Sequence, residues 1–485
     1  MYLGIDLGTS SVKTVLMDEN QTVVASSTAD MEVSRPDTGW SEQDPAAWIR
    51  GIESTLDELK SNHAKSMNGV RGIGLSGHMH GATLLDKHDE VLRPCILWND
   101  TRSHAQAERL DTPTSRSLCG NILFPGFTAP KLAWTAENEP DTFSKVAKVL
   151  LPKDYARLWL TGEHVSEMSD AAGTGWLDVS SRTWSEELLE ATQLSTSNMP
   201  SLVEGTAVSG TIRPEIASRF GLTESVVVAG GAGDNAASAC GMGTVAPGNA
   251  FLSLGTSGVL FAANASYQPN AQSAVHTFCH ALPNTWHQMG VILAATDSLN
   301  WLATVLGKSP SELTAALDGT EATPTQVLFL PYLGGERTPH NDASIRGVFA
   351  GLSHDTDSIA MTKAVLQGVA FAFRDSQNAL ASAGTELENA YAIGGGSKSA
   401  YWLQLIASAL KLPLSTTVDG DYGAGLGAAR LGMIAAENAD AAQVCQKPPI
   451  SQTIEPEIAL FDHFSREFER YQQAYNAIKQ MPDSV

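Results

Sequence analysis

The chain has 485 residues, of which 43% are apolar, 17% charged and 7% aromatic, a globular composition with room for about two to four domains and unlike that of a disordered or fibrous chain. Its formal charge of −22, without a Lys/Arg-rich run, weighs against a nucleic-acid partner. Five scattered cysteines with no C-x-x-C pair exclude a disulfide framework and a paired-cysteine zinc site, and fit a reducing compartment.

Residues 2–7 alternate and predict a strand, 8–11 a turn, 12–17 a second strand and 22–25 the start of a third: an antiparallel meander. Asp44-Pro45 predicts a helix start, with Asp44 as N-cap and Trp48, Ile52, Leu56 and Leu59 as its apolar stripe. A buried strand follows at 70–75. The loop 77–81 then carries His78, Met79 and His80. Two His at i and i+2 without a third ligand argue for contact with a small polar molecule over zinc. Trp98, Asn99 and Asp100, with Thr101 and Arg102, offer a stacking face, an amide, an acid and a base, the mixture a polyhydroxylated molecule needs.

Gly230 to Asn235 follows the apolar run 226–229 and opens a small-residue helix. A carboxylate presented there, Asp234, suits a general base and equally suits an N-cap. Residues 249–254 and 259–262 then read as strands around Gly255-Thr256-Ser257. This repeats the opening: Leu-Gly-Thr-Ser lies between two β runs at 7–10 and again at 254–257. A repeat about 250 residues apart suits two copies of one domain, divided near the Gly/Pro-rich stretch 241–248, as 1–243 and 244–485. Strands and helices alternate in each half, so the expected class is α/β, two-lobed, with a cleft between the lobes.

In the first copy Asp6 ends the strand, Gly8, Thr9 and Ser10 can line an anion nest, and Lys13 can add a cation. An acid beside such a nest is what a magnesium nucleotide requires, because Mg²⁺ takes oxygen ligands. The second copy has Ser253 where the first has Asp6. Two loops, one of them acidic, suggest one ATP tail held by two hairpins. Gly394, Gly395, Gly396 and Ser397, between a strand at 390–393 and a helix at 399–410, suit the adenosine end, where bare backbone admits a flat ligand. Three motifs mislead. The G-x-G-x-x-G at 72–77 lies inside a strand, the G-x-G-x-x-A at 423–428 reads as close helix packing, and Gly307-Lys308-Ser309 lacks the first P-loop glycine.

Laid end to end, these residues resemble the FGGY family of carbohydrate kinases. The stretches that carry the resemblance include Trp40 to Pro45, Met79 to Asp86, Ile96 to Asp100, Gly126 to Leu132, Leu151 to Tyr155, Met168 to Thr174, Gly334 to His340 and Gly347 to Phe349. Thr135 and Ala360 depart from its pattern as packing differences. The resemblance implies an actin/hexokinase-like fold of duplicated ribonuclease H-like domains. It also implies phosphoryl transfer from ATP with Mg²⁺ to the 5-hydroxyl of D-xylulose. It makes Asp234 the catalytic base and Asp6 the acid supporting the metal–phosphate end, through water. Met79 and His80 become sugar contacts, and Gly255, Thr256, Gly395 and Gly396 nucleotide contacts. The expected partners are the sugar and ATP, without nucleic acid or membrane, in the cytoplasm, with a homodimer as the candidate assembly. Three other readings stay open: a family kinase for ribulose, gluconate or glycerol, a nucleotide-dependent binding protein of the actin fold, and a dinucleotide oxidoreductase.

Overall fold

The computed structural model describes residues 1–418 and 423–481. Its first strands, β1 (Tyr2–Leu7), β2 (Ser11–Met17) and β3 (Val23–Asp30), form the antiparallel meander the alternation predicts. Helix α1 (Pro45–Asn68) starts where Asp44 accepts a hydrogen bond from the amide of Ala46 at 3.0 Å. Its stripe of Trp48, Ile52, Leu56 and Leu59 is buried against Leu3, Ile5, Leu7 and Val12. Truncating one such leucine to alanine costs about 2–5 kcal/mol.

Strand β4 (Gly72–Gly77) runs parallel to β1, pairing Tyr2 with Gly72 and Asp6 with Ser76. Helices α2 (Thr128–Asn138) and α3 (Pro152–Thr161) lead to β5 (Val208–Thr211), β6 (Val227–Ala229) and β7 (Ala232–Gly233). The order across this first sheet is β5-β6-β4-β1-β2-β3, with β7 beside the end of β4. Helix α4 (Asp234–Met242) follows directly.

The second half repeats the plan. Strands β8 (Asn249–Leu254), β9 (Gly258–Asn264), β10 (His276–Cys279) and β11 (Trp286–Ile292) are antiparallel neighbours. After α5 (Ser358–Ser382), strand β12 (Asn389–Ile393) lies parallel to β8. After α6 (Ala400–Leu410), β13 (Leu414–Thr417) lies parallel to β12. Helix α7 (Gly423–Glu437) and β14 (Ile450–Ile454) complete the sheet region, in the order β10-β11-β9-β8-β12-β13-β14. A meander followed by parallel strands added on its inner side occurs twice, which is the duplication that Leu-Gly-Thr-Ser announces.

The halves exchange helices. Even-numbered residues of β1 face away from α1, and there α7, from the far half, lies across β1, β4 and β6. A Cβ on Gly4 would come within 2.0 Å of the Gly425 carbonyl oxygen, and one on Gly74 within 1.8 Å of that of Ala428. On its other side α7 meets α4 as closely, since a Cβ on Gly427 would come within 1.7 Å of the Ala237 carbonyl oxygen. Ala239 and Met242 of α4 join Phe251 and Phe261 of the second sheet in one apolar cluster. The glycines of 423–428 therefore lie within α7 and serve close packing, as that reading has it. Among the described residues no helix is long and apolar enough to cross a membrane.

Candidate active site

The sheet register assembles the floor of the site. Asp6 on β1 pairs with Ser76 on β4, and Ser76 pairs with Ala232 on β7. Two residues beyond, Asp234 opens α4. Its Oδ1 accepts from the amide of Asn235 at 2.7 Å and from Asn235 Nδ2 at 2.9 Å. That leaves Oδ2 without a protein donor among the described residues. Burial, and then the Asp6 carboxylate, push the Asp234 carboxyl up to about 6. Burial also raises Asp6, opposed by Ser76 and by Lys13, its partner across the β1–β2 hairpin. The amide of Gly233 donates to Ser169 Oγ at 3.0 Å, and Ser169 Oγ donates to Glu167 at 2.8 Å, which fixes the turn before Asp234.

Both hairpins expected to meet phosphate are tight turns. The Gly8 amide donates to the Ser11 carbonyl at 3.0 Å, and Thr9 Oγ1 accepts from Trp98 Nε1 at 3.0 Å. Trp98, 46% exposed, is thus tied to the first hairpin, with Ser10 and Asn99 exposed beside it. Asp100 is not open to a ligand. Fully buried, it binds the Ser41 amide at 2.6 Å and the Arg102 guanidinium at 2.7 Å, so it clasps its loop rather than lining the cleft. In the second hairpin the Gly255 carbonyl accepts from Thr296 Oγ1 at 2.8 Å, and the Thr256 carbonyl from the Ala295 amide at 2.8 Å.

Gly394, at φ 89°, rests on this hairpin: a Cβ there would come 2.7 Å from the Leu254 carbonyl oxygen. A Cβ on Gly395 would meet nothing within 4 Å, whereas Gly396 is buried. Ser397 Oγ closes the turn on the Gly394 carbonyl at 2.7 Å. Gly394, Gly395, Ser397, Lys398, Thr416 and Thr417 line a cavity of about 550 Å³.

Met79 packs against Gly233, and both Met79 and His80 pack against Gly173. His80 sits at φ 71°, a costly backbone for a non-glycine residue that clusters at functional sites. Thr128 Oγ1 and Lys131 Nζ of α2 hold its carbonyl at 3.1 and 2.8 Å. Burial lowers its imidazole to about 3, so the ring is neutral. Its Nδ1 lies 2.6 Å from the Gly173 carbonyl and its ring stacks on Phe127 at 4.5 Å. His78 turns instead to the edge of Trp48, at 5.8 Å between centroids. The two imidazoles thus serve different neighbourhoods.

Sequence reasoning assigned no role to two groups near this site. Lys153 of α3, fully buried, lies 2.7 Å from Asp154, 3.5 Å from Glu167 and 3.4 Å from Asp170, and Arg157 lies 3.5 Å from Asp154. Burial works against charge on Lys153, and the three carboxylates outweigh it. Asp170 is raised well above the usual carboxylate range, chiefly by burial and in part by Asp234. The second group is Arg337, which reaches the rings around His80 from the other half. The sequence signal for the first is that Leu151 to Tyr155 and Met168 to Thr174 are among the stretches that carry the family resemblance.

Residues 1–241 match the N-terminal domain of the FGGY family of carbohydrate kinases, and residues 250–436 match its C-terminal domain. The xylulose kinase of Escherichia coli K12 is 45% identical over 483 residues, covering 99% of both chains. A crystal structure described as a xyloylose kinase from Brucella ovis superposes with a TM-score of 0.98 at 58% identity, covering 99% of both chains. The xylulose kinase structure from Rhodospirillum rubrum superposes with a TM-score of 0.91 at 28% identity, again covering 99% of both.

Proposed function

The chain belongs to the FGGY family of carbohydrate kinases, and from that premise we propose that it transfers the γ-phosphoryl group of ATP to the 5-hydroxyl of D-xylulose, giving D-xylulose 5-phosphate and ADP. The observation that carries this reading is Asp234: one oxygen held by Asn235, the other without a protein donor, on a carboxyl poised near neutrality beside Met79 and His80. The names of its full-length relatives supply the sugar.

Asp234 Oδ2 takes the proton of the 5-hydroxyl as that oxygen attacks the γ-phosphorus in line. The new O5–P bond forms as the bond to the β–γ bridging oxygen breaks, and ADP carries the leaving charge. Catalysis then rests mostly on positioning and charge neutralisation. The amides and hydroxyls of Thr9, Ser10 and Thr256, with Lys13, hold the phosphates, and the open backbone at Gly395 admits the adenosine end. Asp6 is the carboxylate that would hold Mg²⁺, which would supply neutralisation of phosphate charge. His80 and Met79 orient the sugar. An ADP-release assay over D-xylulose, ribulose, gluconate and glycerol tests the reading. The highest kcat/KM is expected with D-xylulose, and an ATPase rate indifferent to every sugar overturns the proposal.

A further inference from the structure

A kinase that phosphorylates O5 of a 2-ketopentose must bind the open chain, because ring closure would consume O5 in the hemiketal. The opposite end of the sugar then carries a bare C2 carbonyl, which accepts hydrogen bonds and donates none. Some group in the pocket has to donate to it.

The contacts run in order away from the base: Gly233 beside Asp234, then Met79, then His80. Beyond His80 come Phe127, stacked at 4.5 Å, and His276, 6.0 Å from Phe127 between centroids. An acceptor with O5 at Asp234 therefore directs C1 and C2 toward His80 and this ring cluster. His80 cannot serve the carbonyl. The Gly173 carbonyl accepts only, so it takes the proton of His80 Nδ1 at 2.6 Å and leaves Nε2 of the neutral ring as an acceptor. His276 is fixed likewise. Asn121 donates its Nδ2 to the Cys119 and Thr277 carbonyls at 2.6 and 2.8 Å, so its Oδ1 accepts from His276 Nδ1 at 3.3 Å. His276 Nε2 is again an acceptor.

The donor at this end is Arg337. Its guanidinium lies 4.5 Å over the Phe124 ring, and Nη1 makes one long contact, 3.4 Å, to His276 Nε2. Among the described residues it forms no salt bridge, unlike the buried Arg102 and Arg157. The residue is only partly buried. Its loop is fixed from behind: the Arg337 and Leu293 amides both donate to Glu336 Oε1, at 2.8 and 3.0 Å, and the Thr338 amide donates to the Val291 carbonyl at 3.0 Å. Five N–H groups, a permanent charge and one weak contact leave a rigid fork with donors to spare. We propose that Arg337 donates to the C2 carbonyl of the open-chain ketose and sets the preference for a ketose over the corresponding pentitol. This rests on the ketopentose reading above.

The test measures Kd for D-xylulose and for xylitol with the full-length wild type and with Arg337→Met and Arg337→Lys, together with KM for ATP and the thermal midpoint. Loss of a charge-assisted hydrogen bond is expected to weaken D-xylulose about 10–100-fold and xylitol much less, so the ketose/pentitol ratio collapses. The lysine variant falls between, and ATP KM and the midpoint stay in place. An unchanged ratio in both variants overturns the proposal, as does a fall in midpoint with equal weakening of every ligand, the mark of a structural arginine. Wild type that binds neither D-xylulose nor xylitol overturns the functional reading and this inference with it. Wild type that binds the two equally removes only the role of Arg337.

Discussion

Asp6 and Asp234 share one end of the first sheet: Asp6 is level with Ser76, Ser76 with Ala232, and Asp234 follows two residues later. Burial and this neighbouring charge together push Asp234 up to about 6. A carboxyl at that value is deprotonated at pH 7 and is suited to hold a proton during the proposed transfer.

Replacing Asp234 by Asn keeps the shape and removes the proposed base. The expected outcome is a fall in kcat of about 10²–10⁴-fold with little change in Kd for the sugar, measured by steady-state kinetics and titration. Turnover within a few-fold of wild type would show that the proton leaves by another route.

The pH profile carries a sign. In the proposed mechanism the active form of Asp234 is the carboxylate, so kcat/KM is expected to rise with pH through an acid limb near 6, the value to which this carboxyl is raised. Asp6→Asn removes a charge that disfavours ionisation of Asp234. The limb is therefore expected to move to lower pH, while the plateau falls because phosphate-end support is lost. A limb that stays in place or moves upward contradicts the coupling.

Lys153→Met leaves Asp154, Glu167 and Asp170 buried against Arg157 alone. Breaking a buried network at one member costs about 3–5 kcal/mol, read as a lower urea midpoint at pH 7. Asp170→Asn in the same chain removes one of the stranded acids and is expected to recover part of the loss. Equal midpoints for the single and double variants would show that Asp170 does not belong to the network energetically.

Gly395 separates binding from folding. Nothing lies within 4 Å of its missing Cβ, and its φ lies outside the left-handed region. Gly395→Val is expected to keep the wild-type thermal midpoint while raising KM for ATP by at least tenfold and leaving sugar affinity alone. Unchanged ATP affinity would move the adenosine end elsewhere.

The elements legible in the sequence are those whose signal is local. Asp44, Pro45 and the spacing of Trp48, Ile52, Leu56 and Leu59 specify α1 with no reference to the rest of the chain. The repeated Leu-Gly-Thr-Ser places both hairpins because in each a glycine directly follows the last leucine of the strand. What stayed hidden depends on partners distant in the chain. Gly4, Gly74 and Gly427 make up a seam for a helix from the other half. Asp100 resembles a ligand group until the Ser41 amide and Arg102 are seen to occupy it. Arg337 stands in the run 334–340 that carries the family resemblance, yet its lack of a salt bridge among the described residues is a fact of three dimensions only.

The helix exchange also sets a timetable. A ribosome making this chain releases every strand of the first sheet long before it reaches residue 423, so Gly4, Gly72 and Gly74 present naked backbone to water until α7 emerges to cover them. Synthesis order and assembly order thus run opposite: the lobe begun first is the one finished by the tail of the polypeptide.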